Sequence, residues 1–386
     1  MGSKLTILLS GMVAADPFQG GATWAVLQFL LGFQQLGHQV YFVEPVRETA
    51  LQPVGASLVQ SVNAGYFRQV MADFGLTQSS ALLLGGTQQT VGLPYPQLQE
   101  IANRADVLVN ISGMLTDEAL LGCIPVRVYL DLDPAFNQLW QAVEGIDMRF
   151  ASHTHFVTVG LNLGQPDCNV PTCGLEWITT LQPVVLAHWP VAMHIEYDAL
   201  TTVANWRGYG SIWHDGVHYG QKAHSLRPLI MLPTLTAEKF LLALAIHPGE
   251  VQDLAMLNAN GWCLLDPALV TQTPARYRRF IQGSKAEFGI AKSGYVAARC
   301  GWFSDRSACY LASGRPVLAQ ETGFSRFLPT GSGLFAFDTQ DDVSAGIDAL
   351  QSDYAGHARA ARSIAEAYFD SDKVLGGLLE QVMNRE

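Results

Sequence analysis

The sequence predicts an α/β protein with two doubly wound parallel-sheet domains that face each other across a cleft. Three observations favour this architecture. The chain has 386 residues, which is more than one hydrophobic core usually serves. Hydrophobic residues make up 49% of it and charged residues only 15%, so there is ample apolar surface to bury. Short apolar segments alternate with helical ones in both halves, and this alternation is typical of parallel sheets covered by helices.

The first half begins with one βαβ unit. Residues 5–10 predict a buried strand, residues 22–36 a helix that ends at Gly37, and residues 38–44 a second strand. Such a crossover helix places the two strands in parallel. The pattern then continues with predicted helices at 95–104 and 117–121 and predicted strands at 107–111, 127–130 and 156–159.

Two irregular stretches, residues 160–174 and 188–197, interrupt this alternation before it resumes. We therefore expect an N-terminal domain at residues 1–195 and a C-terminal domain at residues 196–365. A final helical segment, residues 366–386, is expected to pack back on the first domain. The second half predicts strands at 201–205, 262–264, 289–291 and 316–320 and helices at 250–258, 273–282, 304–313, 341–351, 354–369 and 371–383.

Charge and composition exclude several classes of protein. The formal net charge is −11 and no run of Lys or Arg occurs, which disfavours a nucleic-acid polymer as partner. The sequence contains no stretch of about 18 consecutive apolar residues, so no membrane span is predicted. The N-terminal apolar run lacks a small-residue cleavage site and fits a first buried strand, so a cytoplasmic location is expected. The six cysteines show no C-x-x-C spacing and are expected to be reduced thiols rather than metal ligands.

The most informative segment is residues 299–324, RCGWFSDRSACYLASGRPVLAQETGF. Ser304 or Asp305 can cap a helix that Gly314 ends. A helix N-terminus carries free N–H groups and partial positive charge, so it suits an anion. Arg306 adds a guanidinium fork and Ser307 a further hydroxyl. The alternative is that Ser304 is only a cap and Arg306 only a surface charge.

The run from Ala312 to Val317, with the loop Glu321 to Phe324 after the next strand, resembles the C-terminal nucleotide-sugar signature of GT-B glycosyltransferases, including their group 1 and CgeB-like branches. This resemblance implies two Rossmann-like domains and a nucleoside-diphosphate sugar as co-substrate, with no obligatory cofactor. UDP is one candidate nucleotide, and the base, sugar and acceptor stay open. The residues that it places at the diphosphate are Ser304, Asp305, Arg306 and Ser307, and those that it places near the sugar or the nucleotide are Glu321, Thr322, Gly323 and Phe324.

The resemblance also implies a role for Arg207, because many GT-B enzymes place an arginine after this strand, facing the diphosphate. Lys222 is the nearest following lysine, at a longer spacing than usual. The two glutamates of the E-x7-E motif of many retaining members correspond here to Gly301 and Cys309. Retention or inversion of configuration therefore stays open. The alternatives are a sugar-nucleotide epimerase of the same fold and a non-catalytic nucleotide-sugar-binding module.

Candidate residues for the acceptor side lie in the first half. The loop from Gly11 to Gly21 follows the first strand, and in GT-B enzymes this loop faces the cleft, where Gly20 and Gly21 would permit close approach of sugar or acceptor. The loop lacks both the dinucleotide and the P-loop glycine patterns. Asp16 is a candidate general base, since a carboxylate at the cleft can take the proton of an acceptor hydroxyl. The alternative is an ordinary turn residue, because Asp16 precedes Pro17.

Two pairs of polar residues in the first half are further candidates for the acceptor side. Asp131 and Asp133 end a predicted strand, where they resemble the D-x-D metal motif of GT-A enzymes; a strand-end turn that contacts the acceptor is preferred. His153 and His155 precede another strand, and either is a candidate acceptor-side base or hydrogen-bond donor. No third ligand accompanies them, so no metal site is expected. The aromatic stretch Trp206–His224 suits either a sugar-stacking wall or a loop that covers the cleft.

Overall fold

The computed structural model describes residues 4–384 of the chain. Its first sheet has eight strands in the spatial order β4-β3-β2-β1-β5-β6-β7-β8, parallel throughout except for the antiparallel β4. The strands are β1 (Thr6–Ser10), β2 (Gln39–Val46), β3 (Ser80–Leu84), β4 (Thr90–Gly92), β5 (Val107–Ile111), β6 (Val126–Asp131), β7 (His155–Thr158) and β8 (Trp177–Thr179). The helices of this half are α1 (Gly20–Gln35), α2 (Val62–Asp73), α3 (Tyr95–Ala102), α4 (Glu118–Leu121) and α5 (Phe136–Ala142).

The second half contains a six-stranded parallel sheet, in the order β13-β12-β9-β14-β15-β16, and a short hairpin of β10 with β11. The strands are β9 (Tyr197–Asn205), β10 (Ile212–His214), β11 (Val217–Tyr219), β12 (Phe240–Ala245), β13 (Cys263–Leu265), β14 (Ser284–Gly289), β15 (Val317–Gln320) and β16 (Leu334–Phe337). The helices are α6 (Lys222–Leu226), α7 (Leu232–Leu235), α8 (Val251–Ala259), α9 (Ala268–Thr271), α10 (Pro274–Gly283), α11 (Ser293–Ala298), α12 (Asp305–Ala312), α13 (Gln340–Ser352), α14 (Tyr354–Ile364) and α15 (Ser371–Met383).

Sequence periodicity locates many of these elements but not the short ones such as β8, β16 and α11, and three further differences concern longer segments. The strand expected at 289–291 lies at 284–289 instead, because the buried side of β14 begins at Ser284 and the chain has left the sheet by Ile290. The helix expected at 354–369 ends as α14 at Ile364, and residues 365–369 form a π-helical turn. Residues 45–94, for which the pattern predicts nothing, contain α2, β3 and β4.

Both sheets are buried by helices, and α1 connects the two halves physically. The indole Nε1 of Trp24 in α1 donates to the carbonyl oxygen of Pro274 at 2.8 Å. At its other end α1 packs against α15, so closely that a Cβ on Gly32 would lie 2.5 Å from a methyl of Leu375. The predicted division after residue 195 falls between the last strand of the first sheet and the first strand of the second. It stays a prediction of the domain boundary.

In residues 4–384 no helix is long and apolar enough to cross a membrane.

Candidate functional site

A cavity of about 800 Å³ lies between the two halves, at the carboxyl ends of both sheets. Ligands of open α/β sheets bind outside these strand ends. The first half contributes the loop after β1 and the start of α1 to its wall. The second half contributes the ends of β9 and β12, the start of α6, α9 and α12, and Lys292 after β14. Its volume falls in the range of pockets that enclose small ligands.

Gly20 and Gly21 allow α1 to approach the second half of the molecule. A Cβ on Gly20 would lie 2.5 Å from the carbonyl oxygen of Thr273, and one on Gly21 would lie 2.9 Å from the ring of Tyr277. Both distances are shorter than real Cβ contacts, so any side chain here would force the halves apart. Gly21 also lines the cavity. Gly20 and Gly21 thus allow the two halves to pack closely, and their predicted contact with sugar or acceptor stays a prediction.

The N-terminus of α12 reaches the cavity through Asp305 and Arg306. Ser304 is the N-cap, and its hydroxyl accepts the backbone N–H of Arg306 at 3.2 Å. The pKa of Asp305 is raised by burial. Ser304 and Ser307 line a separate, much smaller pocket beside Phe324. The predicted cap is therefore present, and two of the four predicted diphosphate contacts lie in the large cavity.

Arg306 is already neutralised by an acid inside the protein. Its Nε lies 2.6 Å from a carboxylate oxygen of Glu287, a residue of β14 that is fully buried. Its Nη1 donates to the carbonyl oxygen of Val203, whereas its Nη2 is buried without a hydrogen-bond partner in the described part of the chain. Arg306 thus ties α12 to the second sheet, while its Nη2 keeps hydrogen-bonding capacity that no described protein group uses.

Lys222 is the cavity cation without a counter-ion. It is the first residue of α6 and lines the cavity. Among residues 4–384 its ammonium has no hydrogen bond and no carboxylate within 4 Å. The pKa of Lys222 is lowered well below its usual range by burial, and by the positive charges of Arg306 and Lys292. A negative ligand in the cavity would relieve this unfavourable charge.

A polar cluster of Asp133, Tyr209, Lys292 and Tyr295 joins the two halves beside the cavity. The ammonium of Lys292 lies 2.9 Å from a carboxylate oxygen of Asp133 and 4.2 Å from the ring centroid of Tyr209. The Tyr209 hydroxyl donates to the same carboxylate at 2.6 Å, and the Tyr295 hydroxyl donates to it as well. Burial lowers the pKa of Lys292, and Asp133 opposes this effect. Asp133 therefore belongs to the contact between the halves.

Asp131 holds the end of β6 in place. It is fully buried and accepts hydrogen bonds from the side chains of Asn137, Gln138 and Thr158 at 2.6 to 2.8 Å. Burial raises its pKa to about 6, although these donors lower it. These bonds fix the position of Asp131 at the carboxyl end of β6, and its acceptor contact stays a prediction.

The two histidines lie apart from each other and outside the wall of the cavity. The Nε2 of His153 lies 3.0 Å from the side-chain nitrogen of Asn110, and its Nδ1 lies 2.9 Å from the carbonyl oxygen of Arg149. Burial lowers the pKa of His153. His155 begins β7, at the amino end of the strand, with its Nδ1 2.9 Å from the hydroxyl of Thr154. Since the cavity is at the carboxyl ends, His155 is on the opposite edge of the sheet.

The remaining donor-side candidates also lie outside the wall of the large cavity. Arg207 is paired with Glu250 at 2.5 Å and is partly exposed. The turn from Glu321 to Phe324 packs against the backbone near Trp302, where the hydroxyl of Thr322 donates to a carbonyl oxygen at 2.6 Å. Gly323 adopts φ 98°, and a Cβ there would lie 2.9 Å from the carbonyl oxygen of Arg299. Only glycine therefore fits this position of the turn without a shift of the backbone.

Asp16 is exposed on the loop that leads to the cavity. This loop is fixed by Glu44, a buried acid in β2 whose carboxylate accepts the backbone N–H groups of Val13, Ala14 and Ala15 at 2.6 to 3.0 Å. Burial raises the pKa of Asp16. The loop continues to Phe18 at the cavity.

Sequence patterns miss two of these residues, Glu44 and Lys292. Each leaves a signal in hindsight. Glu44 is a lone acid inside an apolar strand, and Lys292 follows a buried strand by three residues, where a cleft is expected.

The cysteines and the acids do not form a metal-binding group. All six cysteines are free, with Cys300 and Cys309 buried. Burial raises the pKa of the Cys309 thiol, which accepts a hydrogen bond from Gln28. Over residues 4–384 no three His, Cys, Asp or Glu side chains converge as metal ligands would.

Comparison with known proteins finds structural neighbours but no match by sequence. No family model matches the chain, and no curated protein matches its sequence. Solved structures do match over the full length of both chains. An alpha-glucosyltransferase in complex with UDP and a 13-mer DNA has a TM-score of 0.60 at 10% identity, covering 98% of this chain and 99% of the other. HepE of Anabaena, in complex with UDP and glucose, has a TM-score of 0.57 at 10% identity, with 99% and 100% covered.

A third match, the sucrose-phosphate synthase of Thermosynechococcus elongatus, has a TM-score of 0.55 at 11% identity and covers 98% of this chain and 99% of its own. The chain has the GT-B fold. The predicted fold class, two Rossmann-like halves facing a cleft, is thereby confirmed. The narrower resemblance to the group 1 and CgeB-like branches stays a prediction. So does the exclusion of nucleic acid, because one GT-B neighbour is described with DNA.

Proposed function

We propose that this protein is a glycosyltransferase that moves a sugar from a nucleoside-diphosphate sugar, with UDP as the nucleotide, to an acceptor nucleophile. The observation that carries the proposal is the half-buried Lys222, which lines the interdomain cavity close to the N-terminus of α12 and has no ion-pair partner within residues 4–384. Glu287 and Asp305 attract Lys222 only from beyond ion-pair distance, and a diphosphate would add a direct counter-charge. The UDP complexes of GT-B neighbours support this choice of ligand.

The cavity gives each part of the donor a partner. Lys222 and the free Nη2 of Arg306 would hold the diphosphate, with the partial positive charge of the α12 N-terminus behind them. The Asp305 carboxylate, which also lines the cavity, would accept hydroxyl groups of ribose or sugar rather than phosphate. Of the predicted donor residues, Arg207 and the Glu321–Phe324 turn would act by shaping the loops around this site.

The chemistry needs no group beyond these residues and the acceptor. The acceptor oxygen forms a bond to the anomeric carbon, while the bond from that carbon to the β-phosphate oxygen breaks. The electron pair leaves on the diphosphate, where the cations stabilise it. The hydroxyl proton passes to a carboxylate, and Asp16 is our candidate because its loop lies at the cavity and burial raises its pKa.

Nucleotide binding tests the proposal directly. UDP should raise the melting temperature of the full chain more than GDP or TDP at equal concentration, because a ligand that binds only the folded state stabilises it. Stabilisation by none of the three nucleotides would overturn the proposal. Formation of an epimerised sugar nucleotide in the absence of acceptor would instead identify an epimerase, and UDP binding with no turnover of any sugar nucleotide would identify a binding module.

Lys222→Gln should weaken UDP binding roughly 10- to 100-fold, since a hydrogen bond to a charged group contributes about 1.5–3 kcal/mol. Isothermal titration calorimetry measures this change. The substitution removes a buried charge that repels Arg306 and Lys292, so we expect no loss of fold. Lys239→Gln, at an exposed lysine before β12, is the matched control and should bind UDP like the wild type. Equal affinities for the two variants would contradict the assignment of Lys222.

A further inference from the structure

A second cavity lies at the carboxyl edge of the first sheet. It has a volume of about 290 Å³ and is lined by residues that directly follow β2, β3 and β5. These are Arg47, Gly85 and Ser112, together with the segment 147–149. Parallel sheets bind their ligands at this edge. Of the first sheet, however, the proposed donor site uses only the loop after β1 and the start of α1.

The charges at this cavity favour an anion. The side chain of Arg47 is exposed, and within residues 4–384 it makes no hydrogen bond or ion pair. The side chain of Arg149 donates to the carbonyl oxygen of Gly113 at 3.2 Å, and no carboxylate of the described residues lies within 4 Å of it. Asp147, the one acid in the described wall, already accepts the backbone N–H of Arg149 at 2.7 Å. Two guanidinium groups that have no carboxylate partner within residues 4–384 thus line one cavity of a chain whose net charge is −11.

The backbone around the cavity is held in an uncommon conformation. Ser112 has φ 51° and Arg149 has φ 63°, and both are non-glycine residues in the left-handed region. Each such residue costs on the order of 1 kcal/mol or more, so the surrounding contacts must fix it. Gly113 lies between them, with a Cβ position 3.2 Å from the carbonyl oxygen of Met148. The wall is therefore tightly built rather than a chance gap between surface loops.

The loop after β1 connects the donor cavity to the strand that ends at the second cavity. Glu44 binds the backbone N–H groups of Val13 to Ala15, and the next residues of the chain, Pro45 to Arg47, line the second cavity. The same loop continues through Asp16 to Phe18 at the donor cavity. Asp16 therefore lies on the stretch of chain between Ala15, which Glu44 holds, and Phe18 at the donor cavity.

We propose that the second cavity binds an anionic group of the acceptor, a carboxylate or a phosphate, through Arg47 and Arg149. A hydroxyl of the same acceptor then extends across the Asp16 loop to the anomeric carbon of the donor. Arginine forks match both anions, because two N–H groups meet two oxygens. The acceptor role rests on the proposed function, whereas the anion site itself does not.

Small matched probes test the site on the full chain saturated with UDP. Calorimetry would compare glycerol 3-phosphate and D-glycerate with uncharged glycerol. Both anions should bind, and glycerol should bind at least 10-fold more weakly. Arg47→Ala and Arg149→Asn should each weaken glycerol 3-phosphate binding roughly 10-fold or more. Asparagine is chosen at position 149 because it tolerates the left-handed backbone.

Arg104→Ala is the matched control, since Arg104 is an exposed arginine at the opposite, amino edge of the same sheet. It should bind the probes like the wild type. Glycerol binding as tight as glycerol 3-phosphate binding, or arginine variants that match the Arg104→Ala control, would overturn the inference. Failure of UDP to bind, with anion binding that still depends on Arg47, would instead overturn the proposed function and the acceptor role and keep the anion site.

Discussion

Arg306 and Lys222 line the same cavity, yet their surroundings assign them different tasks. Arg306 is bonded to the buried Glu287, so its charge is compensated before any ligand arrives. Lys222 has no such partner. Their types and positions in the sequence would rank them in the reverse order, because Arg306 stands at a recognisable helix start. Loss of Arg306 should therefore damage the fold as well as the proposed diphosphate contact, whereas loss of Lys222 should affect binding alone.

Arg306→Met should lower the free energy of unfolding by about 3–5 kcal/mol, because it leaves the Glu287 carboxylate buried without its counter-ion. The double variant Arg306→Met/Glu287→Gln should recover a large part of this loss, since no charge then remains to be buried. Urea denaturation followed by circular dichroism measures both. An Arg306→Met protein within about 0.5 kcal/mol of the wild type, the range of ordinary surface substitutions, would show that the pair is dispensable.

The loop after β1 shows how one buried side chain shapes a whole element. Its glycines predict a turn, but its path is set by Glu44, which gathers three consecutive N–H groups. Asn63 fixes the other side of the loop, donating to the carbonyl oxygen of Ala14 at 2.7 Å. Asn63 begins α2, in a stretch where sequence periodicity predicts no helix. The loop at the cavity thus depends on an element that the sequence pattern does not reveal.

Glu44 should make stability depend on pH. Burial raises its pKa from 4.5 to about 7, although the three N–H groups lower it. The folded state therefore holds a proton that the unfolded state releases, and this stabilisation is complete below pH 4.5 and is lost as the pH rises through 7. In the wild type, Glu44 should lower the free energy of unfolding by roughly 3 kcal/mol at most between pH 5 and pH 8. Glu44→Gln should remove this decrease.

Urea denaturation at several pH values measures this effect. Asp131, whose pKa burial raises to about 6, contributes in the same direction and is unchanged in the variant. The control is Glu100→Gln at an exposed carboxylate of α3, which should keep the wild-type slope. Equal slopes for wild type and Glu44→Gln would rule out the titration of Glu44.

At the scale of the whole molecule, the sequence predicts the two sheets, the helix start at Ser304 and the closing helix at 371–383. These features depend on local periodicity and caps, which a single sequence displays. The contacts between the halves depend on residues far apart in sequence, such as Gly20 against Thr273 or Trp24 against Pro274. No local pattern encodes such pairs, so a sequence motif can predict that an anion site exists and still misplace the residues that complete it.

The cluster of Asp133 and Lys292 should hold the two halves closed. Asp133→Asn leaves the Lys292 ammonium, whose side chain is 17% exposed, without a carboxylate, so the halves should separate to hydrate it. We expect a larger radius of gyration by small-angle X-ray scattering than for the wild type. Asp133→Asn/Lys292→Met should be more compact than Asp133→Asn alone, because no charge then needs water.

UDP provides the second part of this prediction. In the proposed function its diphosphate would lie in the cavity that Lys292 lines, where it would replace the lost carboxylate. Saturating UDP should therefore return the scattering profile of Asp133→Asn towards that of the wild type. Asp73→Asn, at an exposed position on α2, is the control and should scatter like the wild type with and without UDP. Superimposable profiles for wild type and Asp133→Asn would show instead that apolar packing of α1 on α10 and α15 alone fixes the closed arrangement.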